Sequence, residues 1–305
     1  MEPKQTEIVK KHEEEKKEIK HSLRNGLRNG ADFIDESFGV YKKHYKTFLS
    51  ISAVSLVPSI LVSVFSEESV YTAVTKTFGL YASIFCGAVM GILFIIISSW
   101  SQIALLYSLK EQDKELDPSQ AFAFAWHKLI SYWWIACLTG FIILGGLMLF
   151  FIPGAIFAIW FSFAYYLLIM EDEKGMNALL KSREYVKGHG WAVLWRFIVL
   201  YFFNLLFAIP VGILFGGFPA PWSSMLTQNV FSFFVVPFNI VYLFLVYRNL
   251  KEVKGEFVFA PHKKTKRVFL VIATVGIILP FVLIGLFALL FPLQASRIFL
   301  MMTSM

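Results

Sequence analysis

Seven stretches of this chain are apolar over a length that can cross a bilayer, at 47–66, 79–108, 130–151, 154–170, 192–216, 228–247 and 268–291. Nothing else in the sequence constrains the fold as strongly. A spanning helix needs about 20 apolar residues. In lipid every backbone N–H and C=O must be satisfied inside the structure, so runs of this length fold as helices. The composition agrees. Only 16% of the 305 residues are charged and 57% are hydrophobic, against about 25% charged in an ordinary soluble domain. The sequence therefore predicts an all-α polytopic transmembrane bundle of seven spans with three short amphipathic interfacial helices.

Charge sets the expected orientation. Of 28 lysines and arginines, 26 lie on one side of the spans, and only Lys76 and Arg297 lie on the other. Basic loops stay in the cytoplasm, so the N-terminus is expected there and the C-terminus outside. Residues 1–46 scatter their apolar side chains among charges, which is unlike a secretory signal. The organisation read from these patterns is a charged cytoplasmic arm at 1–30, a repeated membrane domain at 31–250, a basic loop at 251–267, and an additional span with a short tail at 268–305. Membrane insertion and anionic lipid explain the basic balance; nucleic acid is not an expected partner.

The membrane domain carries a weak internal repeat. At an offset of 57, Ala121 matches Ala178, Trp134 matches Trp191, and Ile152-Pro153 matches Ile209-Pro210. At an offset of 145, Ser37 matches Ser182, Lys42 matches Lys187, and His44 matches His189. Each unit reads as an amphipathic helix, a polar link and a span. The helices are expected at 31–46, 118–129 and 176–187, with Phe38, Tyr41, Phe122, Trp126, Leu179 and Leu180 on their apolar faces. Such helices either brace the cytoplasmic ends of the spans or lie among lipid headgroups. Lys42, Lys43, Lys46, Lys181, Arg183 and Lys187 are the candidate headgroup contacts, and anionic membrane lipid or a membrane protein the candidate partner. Trp133, Trp134, Trp191 and Trp195 fit an interfacial aromatic belt.

Ala178-Leu179-Leu180-Lys181-Ser182, continuing through Val186-Lys187-Gly188-His189-Gly190-Trp191, resembles a pattern in prokaryotic multi-pass proteins related to the membrane domain of glycerophosphoryl diester phosphodiesterase. Ile152-Pro153-Gly154-Ala155-Ile156 is similar to the same group. The resemblance covers roughly 31–250 and implies a multi-helix domain in a prokaryotic plasma (inner) membrane. In fused members of that family the phosphodiesterase is a separate soluble barrel. This chain has no room for it, so the resemblance brings no catalytic residue. The seventh run departs from the family's six-span plan.

Chemical motifs are missing. His12-Glu13-Glu14-Glu15-Lys16 lacks the second histidine of a zinc-protease helix, and no Gly-x-Ser-x-Gly elbow is present. Cys86 and Cys137 lie inside apolar runs and read as free, buried thiols. No catalytic, cofactor or metal site is predicted. The strongest polar groups within the runs are Gln102, Asn204 and Asn239. Each could line a substrate site or hydrogen-bond a neighbouring helix. Gly87-x-x-x-Gly91 and Gly212-x-x-x-Gly216 suggest close helix contacts. The leading reading is a non-enzymatic membrane protein that organises lipid or a membrane partner through its cytoplasmic interfacial helices. The alternatives are a carrier or flippase for an apolar or amphiphilic molecule and, third, a membrane-embedded lipid enzyme.

Overall fold

A computed structural model describes residues 28–112, 117–219, 222–255, 259 and 263–290. Residues 1–27 of the predicted arm and the predicted tail from 291 lie outside the described residues. Ten helices are described: α1 (Gly30–Phe65), α2 (Glu68–Phe78), α3 (Leu80–Lys110), α4 (Pro118–Leu149), α5 (Phe151–Phe161), α6 (Ala164–Met170), α7 (Met176–Val186), α8 (Gly190–Phe215), α9 (Trp222–Lys254) and α10 (Lys263–Leu290). Seven units are long and apolar enough to cross a membrane: α1, α3, α4, α5 with α6, α8, α9 and α10. The all-α polytopic architecture is as the sequence predicts.

Helix α9 packs against α1 and α8, α3 bridges α1 and α4, and α10 docks on α4. The core lies where these helices meet. Ile51, Ile103, Ile135, Leu167, Leu179 and Tyr242 are all fully buried there. The outward faces carry large apolar side chains such as Tyr81, Phe85, Phe151 and Trp191, as a lipid-facing surface requires. Cys86 and Cys137 are free, as expected, but exposed on such faces and not buried.

The amphipathic segments depart from expectation in an instructive way. Residues 31–46 are continuous with the first span, but the joint is marked. His44 leaves helical geometry at φ −115°, ψ 17°. His189, its partner in the repeat, adopts φ −121°, ψ 12° immediately before α8. The two histidines, 145 positions apart, thus have nearly the same backbone dihedral angles, each close to the start of an apolar run. In the third unit Gly188, at φ +88°, separates the helices completely, because glycine enters that region without a Cβ penalty. Lys43 stands at the equivalent place in the first unit, and there the chain stays helical.

The second segment has no such joint. Residues 118–129 run without interruption into α4, so they are not a separate interfacial helix. Neither glycine nor proline interrupts this helix between Gln120 and Cys137, and amphipathic sequence does not by itself end the hydrogen-bond ladder. The third segment is a discrete helix, α7, but its apolar face meets protein and not lipid. Ala178, Leu179 and Leu180 are buried in the core.

Two close approaches fix the helix pairing. The turn between the third and fourth spans falls at Phe150, which is extended at φ −162°, ψ 151°. Pro153 then lies in the first turn of α5, where its missing N–H has no intrahelical role. Across this hairpin a Cβ on Gly146 would stand 3.0 Å from Gly154 Cα. The tighter crossing is between α4 and α10. A Cβ on Gly276 would fall 2.1 Å from Phe141 O, and one on Gly145 would fall 2.1 Å from Ile272 O. The expected Gly91 and Gly212 contacts are not made: a Cβ at either position meets nothing within 4 Å. Small residues matter where backbones cross, and spacing alone does not say where that is.

Candidate functional site: a basic helix-end platform and its polar clusters

The polar end of the bundle is built where α1 begins and α9 ends. Lys42, Lys43 and Lys46 are exposed on α1, on either side of the His44 joint and next to the first apolar run. Lys263, Lys264 and Arg267 are exposed at the start of α10. Lys187 is also exposed, 3.9 Å from Glu184.

The other two named cations are turned inward. Lys181 is only 14% exposed and pairs with Glu171 at 2.7 Å and Glu173 at 2.9 Å. Burial alone would depress its pKa, but those carboxylates prevail and raise it. Arg183 lies 4.7 Å from the ring centroid of Trp160 and 5.7 Å from that of Phe269, a cation–π arrangement that ties α7 to α5 and α10. Of the six sequence candidates, four therefore face outward and two brace the fold.

Glu171 is the hub that sequence reasoning missed. Its carboxylate meets Lys181, Lys251 at 2.8 Å, the Tyr247 hydroxyl at 2.7 Å and the Tyr185 hydroxyl at 3.2 Å. Burial pushes its pKa up. The hydrogen bonds from Lys181, Lys251 and Tyr247 outweigh burial and bring it down to about 2. Nearby, Lys110 donates to the carbonyl of Ile169 at 2.9 Å, and Lys128 pairs with Asp172. The loop after the fourth span is thereby fastened to α3, α4, α7 and α9. One signal was present in the sequence. Glu171-Asp172-Glu173 stands directly after an apolar run, where a buried carboxylate must find cations.

A second cluster joins α1, α8 and α9. Arg196 is buried and donates to the carbonyls of Ala192 and Arg28. Tyr242 donates to the carbonyl of Arg196 at 3.1 Å. Glu36 accepts from Arg28 at 2.8 Å and from Arg248 at 2.5 Å. Ser182, fully buried, closes the break between α5 and α6: its hydroxyl donates to Trp160 O at 2.7 Å and accepts from Phe163 N at 3.2 Å. These groups hold structure. Among the described residues no three His, Cys, Asp or Glu side chains converge as a metal site.

The intramembrane amides do not form one site. Gln102 on α3 accepts from the Tyr132 hydroxyl of α4 at 2.7 Å, which is the helix-packing role. Asn204 and Asn239 stand on α8 and α9, and each has a buried Oδ1 without a hydrogen-bond partner. Of the predicted aromatic belt, Trp134, Trp191 and Trp195 are exposed, whereas Trp133 donates inward to Ser99 Oγ at 3.0 Å.

Seven apolar helices, outward apolar faces and charge gathered at helix ends define a multi-pass integral membrane protein. Comparison with protein-family models, curated proteins and solved structures finds no match.

Proposed function

We propose that the chain is a non-enzymatic membrane protein of a prokaryotic plasma membrane whose cytoplasmic, basic end gathers anionic lipid or a membrane partner. The observation that carries this reading is the division among the cations. Lys181 and Arg183 are held internally, while Lys42, Lys43 and Lys46 stand exposed beside the entry of α1 into its apolar run. The resemblance to the phosphodiesterase membrane-domain family belongs to the same proposal. It rests on the sequence patterns Ala178–Ser182, Val186–Trp191 and Ile152–Ile156.

A lysine near an anionic surface contributes about 1 kcal/mol, and salt screens it. Replacing Lys42, Lys43 and Lys46 together by glutamine should therefore lower the preference for anionic over zwitterionic lipid by up to about a hundredfold at low salt, and by less as salt rises. Competition between spin-labelled phosphatidylglycerol and phosphatidylcholine around the reconstituted full chain reads this preference. Equal preference in wild type and triple variant would contradict the proposal.

A second reading is supported by the unpartnered amide oxygens of Asn204 and Asn239. Buried polar atoms without partners are uncommon, and in adjoining helices they suit a carrier of an amphiphilic molecule. Transbilayer movement of a labelled lipid, lost in N204L and N239L, would favour it.

A further inference from the structure

We propose that the cleft between α1, α2 and α9, at the end of the bundle opposite the Glu171 hub, binds a small organic ammonium group. Its volume is about 380 Å³, within the usual range for small-molecule pockets. The chemistry of its wall is lopsided. Glu67 supplies a carboxylate, Ser63, Ser66 and Ser69 supply hydroxyls, and Gln228 supplies an amide. Among the described residues no lysine, arginine or histidine lines it.

Glu67 is half-buried and stands at the N-cap position of α2, yet its side chain makes no capping hydrogen bond. Among the described residues it has no ion pair either. A half-buried carboxylate without a counterion attracts a cation and repels an anion, since its full charge exceeds the partial positive charge of the α2 N-terminus beside it. Ser63 adds a directional requirement. Its hydroxyl proton is committed to Ser59 O at 2.8 Å, so it can offer the cleft only a lone pair. The buried Asn229 amide approaches the same oxygen at 3.4 Å. Glu67 and Ser63 therefore favour a ligand that donates hydrogen bonds and carries positive charge. The indole of Trp222 offers an aromatic wall suited to a cation.

The cleft opens where α1 passes from Val62 and Val64 to Ser66, at the end of an apolar run. The ammonium can thus come from a soluble amine or from the headgroup of an aminophospholipid. Both present the same group, and one experiment separates them.

Full chain in alkyl maltoside micelles is titrated with ethanolamine and with ethylene glycol, its neutral counterpart. Calorimetry should show saturable ethanolamine binding at least about tenfold tighter than glycol binding, since one charge contact of this kind is worth a factor of ten or more. E67Q should remove that difference. S69L, which fills the cleft from an exposed position of α2, should block binding without touching the carboxylate. Added phosphatidylethanolamine that displaces ethanolamine identifies the headgroup as the source; failure to displace identifies a free amine. Equal binding of glycol and ethanolamine, unchanged binding in E67Q, or no binding of either ethanolamine or phosphatidylethanolamine by wild type would overturn the assignment.

Discussion

Replacing Gly276 by alanine should loosen α10 from α4, and replacing it by leucine should detach the helix. The added Cβ would overlap Phe141 O at 2.1 Å and Gly145 N at 2.6 Å. Both are backbone atoms, so no rotamer change relieves the clash and the helices must move apart. Overpacking of a close contact costs about 1–3 kcal/mol, and leucine stands at the upper end. The backbone amides of 263–286 should then exchange with deuterium faster in G276L than in wild type, in the same detergent. G285A is the matched control, because a Cβ there meets nothing within 4 Å. Equal exchange in G276L and G285A would show that the glycine crossing does not hold α10.

The other large effect is expected at Glu171. E171Q would leave Lys251 facing a neutral group and Lys181 with Glu173 alone, at a site where the native carboxylate is only 12% exposed. Removing one partner of a buried ion pair costs about 3–5 kcal/mol, reduced here because Lys251 is 42% exposed. A loss of about 2–3 kcal/mol follows. Thermal unfolding of the full chain in detergent at neutral pH should show a clear drop in midpoint. The sign of the pH dependence follows from the depressed pKa. Stability from this carboxylate is complete above its ordinary pKa of 4.5 and is lost as pH falls toward about 2. Wild type and E171Q should therefore converge in that window. Midpoints that already coincide at pH 7 would remove the hub from the account.

The spans were legible because hydropathy over about 20 residues reports bilayer crossing directly. Helix ends were not. Residues 118–129 look like a separate element because their apolar face is one-sided, yet nothing in that stretch interrupts the hydrogen-bond ladder that continues into α4. One polar pair of the predicted repeat has a structural counterpart. His44 and His189 matched in sequence, and they have nearly the same backbone dihedral angles. What remained hidden was mutual proximity. Glu171 lies 76 positions from Tyr247 and 80 from Lys251, and only the fold brings them together. Gly145 and Gly276 carried no motif that linked them, whereas the conspicuous Gly87 and Gly212 patterns did not mark a backbone crossing. The candidate lysines were readable as a basic surface. Which of them are spent inside, as Lys181 and Arg183 are, depends on partners from other helices.

The lipid reading requires the basic end to face the cytoplasm and the seventh apolar helix to cross. Lys263, Lys264, Lys266 and Arg267 stand at the start of α10, and its apolar stretch from Phe269 carries no charge. Basic residues resist translocation, and a neighbouring helix can satisfy backbone groups freed by Pro280. Enzyme reporters that are active only outside the cytoplasm, fused separately after Lys254 and after Met305, test both requirements together. Silence at Lys254 and activity at Met305 are expected. Silence at both positions would contradict the seventh crossing, and activity at Lys254 would place the basic platform on the wrong side of the membrane.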